Sequence, residues 1–154
     1  HVEAPISGSM ILAAIMLKLG GFGIYRVLMF IFKHNLKFYF YFISLCLLGM
    51  IYVSLVGFLQ SNFKILIAYS SVVHMGLVFI GFLTLNHCGY SGKLLLMFAH
   101  GLCSSGLLCL SNICYIRFKN RSMFLNKSLI NIFPFLFFWW FLLYSSNMSF
   151  PPSL

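Results

Sequence analysis

The sequence predicts an all-α fold, a polytopic transmembrane helix bundle of about five spans, the last one broken near Pro151-Pro152. Three observations carry that prediction. The chain is 62% hydrophobic and only 7% charged, with a mean hydropathy of +1.01, so a water-soluble core cannot hold its apolar residues and a bilayer must act as solvent. Apolar runs near the length of a bilayer crossing recur along it, separated by short polar joints. Most of its Lys and Arg residues fall at the ends of those runs.

The first span is read at Ile6–Phe32 and holds Lys18 near its middle, with Arg26 as the other full charge. The lysine backbone lies about 18 Å from one end and 21 Å from the other, while its side chain reaches roughly 6 Å, so snorkelling does not account for it. A central lysine costs roughly 2.5 to 3.5 kcal/mol on translocon-type scales, and intramembrane ionisable groups face a bundle interior or a wet cavity. The only acid in the chain, Glu3, lies outside the span and cannot pair with it. The glycines that follow, Gly20, Gly21 and Gly23, are read as helix-packing positions.

The second span is read at Phe38–Leu59, the third at Ile65–Leu85, the fourth at Leu94–Ile116 and the fifth at Leu129–Ser145. Their joints, Lys33–Lys37, Gln60–Lys64, Asn86–Lys93 and Arg117–Ser128, carry the turn-forming and charged residues that the spans lack. The fifth span contains Pro134 and is expected to dissolve through Tyr144-Ser145-Ser146-Asn147 before Pro151-Pro152, as a broken helix. Discontinuous helices sit at ion sites in transporters because freed backbone groups face a cavity. A helix that simply ends in a Pro-containing loop gives the same composition.

The net charge of +9 does not indicate a nucleic-acid partner, because the cations mark span ends and form no polar face. Alternate joints lie on opposite sides of the membrane. One side then gathers Lys64, Arg117, Lys119, Arg121 and Lys127, against Lys33, Lys37 and Lys93 on the other, so the former faces the cytoplasm or matrix. The sequons at Asn120 and Asn126 would be chance on that face. Cys46, Cys88, Cys103, Cys109 and Cys114 form no C-x-x-C pair, which argues against a disulfide framework or a metal site. Phe is unusually frequent, at 19 residues, and with much Ile, Asn, Lys and Tyr it is the set AT-rich codons favour, a hint of an organelle genome. His1–Gly8 lacks the marks of a secretory signal, and the chain reads as an internal piece of a longer polypeptide with 1–154 as one membrane domain.

Placing ionisable groups by depth from the positive side puts Lys18 about 18 Å in, His74 about 15 Å in and His100 about 20 Å in. Three different helices therefore bring a titratable side chain to one level near the midplane. Lys18, His74 and His100 are the candidate proton-transfer stations, histidine being suited to a relay by its reference pKa of about 6.5. Tyr69-Ser70-Ser71 and Ser104-Ser105 could hold water between stations or serve close helix packing. Two histidines on neighbouring helices could instead be axial ligands of a b-type haem, although that leaves Lys18 unexplained.

Four blocks complete the reading: HVEAPISGSMILAAIMLKLGGFG, LIAYSSVVHMGLV, MFAHGLCSSGLLCL and FWWFLLYSSNMSFPPSL. In order and spacing they resemble the antiporter-like, proton-pumping membrane subunits of mitochondrial NADH:ubiquinone oxidoreductase, respiratory complex I, a family shared with Mrp-type sodium/proton antiporters. The resemblance covers the whole chain. It implies a multi-pass subunit of the mitochondrial inner membrane, with the other membrane-arm subunits, the lipid bilayer and protons as partners. Lys18, His74 and His100 match the family's buried lysine and histidines. FPPS looks like the break of its discontinuous late helix, whose glutamate would fall just past Leu154, and an earlier glutamate and lysine would lie before His1. No redox group is expected on this chain; NADH, FMN, the iron–sulfur clusters and ubiquinone would be held by or near other subunits. A cation/proton antiporter subunit is the competing reading.

Overall fold

A computed structural model describes residues 3–31, 36–84, 86–124, 126 and 129–148. The break foreseen at Pro151-Pro152, Lys127 and most of the joint around Lys33 lie outside these residues. The described residues form helices with one isolated bridge and no strand. Four stretches, Ile6–Leu28, Tyr39–Phe58, Phe63–Leu83 and His87–Phe118, are long and apolar enough to cross a membrane.

The first crossing is one rod in three pieces: α1 (Ile6–Ile11), a π-helical turn (Leu12–Met16) and α2 (Leu17–Ile31). It is followed by α3 (Leu36–Phe58), α4 (Phe63–Leu83) and α5 (His87–Phe118). The fifth span is divided into α6 (Leu129–Ile132) and α7 (Pro134–Asn147). Helix α3 packs on α4, α4 on α5 and α5 on α7, while the first crossing leans across α4 and α5.

Two of these elements depart from the sequence reading. Helix α5 begins at His87, so the expected Asn86–Lys93 joint is mostly helix. With 32 residues it is about 48 Å long and projects well beyond a hydrocarbon core of about 30 Å. Hydropathy registers only the part in hydrocarbon. Ser91 keeps the early turns polar without breaking them, its hydroxyl donating to the His87 and Cys88 carbonyls at 3.2 and 3.3 Å, and the Lys93 stem lies where a Cβ on Gly81 would stand.

The fifth span is interrupted at Phe133 (φ −136°, ψ 75°), just before Pro134, and not among Tyr144–Asn147, which stay helical. Proline disfavours the helical region for the residue before it and supplies no N–H to the preceding turn, so the ladder stops there and restarts with proline in the first turn.

The core falls into two clusters. Ala13, Ile67, Leu107, Leu108 and Cys114 pack together with Trp140 of α7. Leu28, Tyr39, Val78, Phe82, Leu83 and Met97 form the other, with Phe82 fully buried. Outward faces remain apolar: Leu45, Leu48, Tyr52 and Leu55 of α3 are all exposed, the pattern of a helix in lipid or against further helices. All five cysteines are free.

The α3–α4 and α5–α6 joints meet on one face. Asn62 and Ser122 form an antiparallel bridge, and Met123 N–H donates to Ser61 O at 2.8 Å. Helix α5 ends with Lys119 in the left-handed region (φ 54°), its N–H donating to Tyr115 O at 2.8 Å. Lys64, Arg117, Lys119 and Arg121 are therefore gathered at one end of the bundle, as alternation of the joints requires.

Candidate functional site

Lys18 lies at the second position of α2, directly after the π-helical turn. Within that turn the Leu17 N–H, the ordinary helical partner of the Ala13 carbonyl, reaches Leu12 O instead. The Lys18 ammonium donates to Ala13 O. A wide turn of this kind is common at functional sites, and here it gives the cation an acceptor from its own helix, well away from any carboxylate.

The same ammonium meets His100 of α5, with 3.2 Å between Lys18 Nζ and His100 Nδ1. Gly101, next along α5, makes the approach possible: a Cβ there would stand 3.3 Å from Lys18 Cε and 3.4 Å from the Ala14 carbonyl. His100 is buried, and its ring lies 5.1 Å from that of His74 of α4, centroid to centroid, tilted by 43°. The structure thus brings all three sequence-selected residues into one contiguous row across three helices. The two imidazoles are in ring contact, and one of them is engaged by Lys18 through Nδ1.

An ammonium has three donors and no acceptor, so against protonated Lys18 the His100 Nδ1 accepts and the ring carries its proton on Nε2. If the proton moves to Nδ1, the neutral amine becomes the acceptor. The pair therefore has two arrangements that differ in the position of one proton along the same 3.2 Å line. Holding both groups charged at that distance is disfavoured by direct repulsion.

On the far side, His100 Nε2 is buried without a hydrogen-bond partner among the described residues. His100 and His74 line a cavity of about 20 Å³ together with Leu96, Ala99, Cys103, Ser146 and Asn147. That is room for about one water with polar partners on several sides. Ser146 of α7 donates to Leu143 O at 2.9 Å and lies 3.2 Å from Cys103 Sγ, which ties α7 to α5 beside the histidines. Lys18 opens on its other side to a largely apolar groove of about 450 Å³ between the first crossing and α5.

Ser146 and Asn147 were missed by sequence reasoning because a polar cluster at the end of an apolar run reads as a helix end. Their available signal was position, about three and a half turns along a helix from Pro134. The serines singled out near the histidines behave differently. Ser70, Ser71, Ser104 and Ser105 each donate to the carbonyl three residues earlier in their own helix, which leaves them as packing positions more than relay groups. Of the three glycines after Lys18, only Gly21 lies at a close contact, against Met97. Among the described residues no cluster of three or more His, Cys, Asp or Glu side chains has metal-binding geometry.

A family model described as NADH:quinone oxidoreductase/Mrp antiporter, transmembrane region, matches residues 1–154. The chain is 54% identical over 154 residues to NADH-ubiquinone oxidoreductase chain 4 of Ceratitis capitata, covering 100% of this chain and 34% of that protein. It is 53% identical to the protein of the same name in Aedes aegypti, again over 100% of this chain and 34% of the relative. In Petromyzon marinus the identity is 49% over 152 residues, 99% of this chain and 33% of the relative. The chain thus spans about a third of the length of the curated relatives it matches.

Proposed function

The chain belongs to the NADH:quinone oxidoreductase/Mrp antiporter transmembrane family, and from that premise we propose that it carries part of the proton path of a proton-translocating subunit of respiratory NADH:ubiquinone oxidoreductase. Lys18, His100 and His74 are the stations. The subunit works beside the other membrane-arm subunits in the mitochondrial inner membrane, with the joint bearing Arg117, Lys119 and Arg121 on the matrix side. The observation that carries the reading is the 3.2 Å contact between Lys18 Nζ and His100 Nδ1 inside a membrane-spanning bundle, with no carboxylate in the chain placed to neutralise it.

The mechanism is protonic. A change of charge arriving at Lys18 shifts the shared proton between Nζ and Nδ1. Imidazole carries it onward because it can take a proton on one ring nitrogen and release one from the other. His100 and His74 line the one-water cavity together with Ser146 and Asn147, so the next transfer is toward α7. Electron transfer from NADH to ubiquinone takes place on other subunits and supplies the charge movements; this chain contributes the buried titratable row.

The test is proton uptake by sealed vesicles containing the whole complex, measured against NADH oxidised. Lys18→Ala is expected to abolish most of the uptake carried by this subunit while the complex still assembles. Unchanged uptake rules Lys18 out as a station, and lost assembly assigns the row to holding helices together.

A further inference from the structure

Between α5 and the α6–α7 pair runs a groove of about 490 Å³, lined by Leu110, Ile113, Arg117, Phe133, Leu136 and Trp139 among others. Its chemistry changes along its length. Arg117 stands in the last turn of α5 with its guanidinium 4.3 Å from the centre of the Phe133 ring, which the interruption before Pro134 holds in place. Ile113 and Leu110 follow one and two turns deeper on the same helix, about 10 Å along the axis from Arg117. Apart from Arg117 the lining is apolar.

Arg117 has five N–H donors, and the ring contact satisfies none of them. It has no hydrogen-bond or carboxylate partner among the described residues. Lys64, Lys119 and Arg121 stand at the same end of the bundle, and Glu3 is the single acid among these 154 residues. Trp139, 45% exposed, borders the groove about 9 Å along α7 from Phe133, on the apolar stretch beside Ile113 and Leu110.

A guanidinium at interfacial depth above an apolar trough is complementary to a phosphodiester carrying an acyl chain. Basic pockets between helices on the matrix or cytoplasmic side bind anionic lipid headgroups, and arginine suits phosphate because its donors match two oxygens at once. We infer that the α5–α6–α7 groove binds an anionic phospholipid, its phosphate on Arg117 and one acyl chain laid along Ile113 and Leu110. The excess of cations around the mouth selects an anionic over a zwitterionic headgroup. The occupant to be distinguished from it is a helix of the longer polypeptide or of a neighbouring subunit.

The experiment uses the intact complex in phosphatidylcholine vesicles, with a trace of phosphatidylglycerol or of phosphatidylcholine carrying a photoactivatable acyl chain, and maps the labelled peptides by mass spectrometry. Expected are labels on the peptides bearing Ile113 and Leu136, several-fold stronger from phosphatidylglycerol. Arg117→Gln should reduce that signal to the phosphatidylcholine level, and Arg117→Lys should keep much of it. Ile113→Trp, which fills the trough and leaves the cation, should remove it. Equal labelling by both lipids, or labelling unaffected by Arg117→Gln, overturns the inference. So does an unlabelled groove in the wild-type complex, which would mean that protein fills it. The two-lipid comparison on the wild type decides the matter even where a variant fails to assemble.

Discussion

Lys18 Nζ and His100 Nδ1 lie 3.2 Å apart in the middle of the bundle, joined across two helices with no acid between them. The contact makes sense only if at most one of the two is charged at a time. It follows that replacing His100 should be as harmful as replacing Lys18. His100→Gln keeps a polar side chain of similar reach but cannot carry a proton. Removing a positioned proton-transfer group costs on the order of a hundredfold in rate, so vesicle proton uptake through this subunit should fall by about that much with the amount of assembled complex unchanged. Wild-type uptake in His100→Gln would show that the proton does not pass through the ring.

Gly101 controls the approach of the first crossing to α5. An added Cβ would stand 3.3 Å from Lys18 Cε and 3.4 Å from Ala14 O, and only the lysine end can yield. Gly101→Ala should therefore displace the ammonium from His100 at little cost in assembly and slow proton uptake several-fold. A larger residue, as in Gly101→Leu, overpacks two helices, with a cost of about 1–3 kcal/mol, and should reduce the level of assembled complex seen on native gels. If Gly101→Ala leaves uptake untouched, the exact Lys18–His100 distance is not what matters.

The small cavity beside His74 and His100 gives a third prediction. Ala99 lines it and takes no part in the Lys18–His100 contact, so Ala99→Val fills space meant for about one water while leaving that pair as it is. Uptake should drop, and a density map of the intact complex should lose a water peak next to His100 Nε2. A water still present in the variant, or full uptake without it, would take Ser146 and Asn147 out of the path.

How much of this was legible in the chain alone is best judged from particular residues. The depths of Lys18, His74 and His100 follow from counting 1.5 Å per residue, and that count brings them to one level. Counting cannot say which way a side chain points, so the ring contact of His74 with His100 needed the structure. The π-helical turn at Leu12–Met16 left no trace in a run of ordinary helix formers, because it differs from α-helix by one step of hydrogen-bond register. The early start of α5 was hidden because turn-forming residues such as Gly89, Ser91 and Gly92 also occur in helix ends that leave the hydrocarbon. Pro134 was visible as a disruption, yet the expected site of fraying lay further on, where Ser145, Ser146 and Asn147 continue the helix by bonding to their own carbonyls or facing the cavity.

Phe82 offers a test of what holds the row level. It is fully buried where α4 meets the first crossing and α5, 5.5 Å from Tyr25 and 6.3 Å from Tyr90 by ring centroids. Lipid tails are as apolar as the side chain, so its contribution in the membrane comes from packing and from ring contacts more than from escape from water. Phe82→Ala leaves a cavity in that packing and should cost less than the roughly 3–5 kcal/mol of the same change in a water-soluble core, because only the cavity part of that cost applies in lipid. The measurable consequence is a lower midpoint for detergent-induced unfolding of the full-length protein. His74 lies about two turns away on the same helix, and a loosened α4 should also widen the His74–His100 contact and slow uptake. Phe82→Leu, which refills most of the space, should restore both together; recovery of stability without recovery of uptake would separate the packing of α4 from the alignment of the histidines.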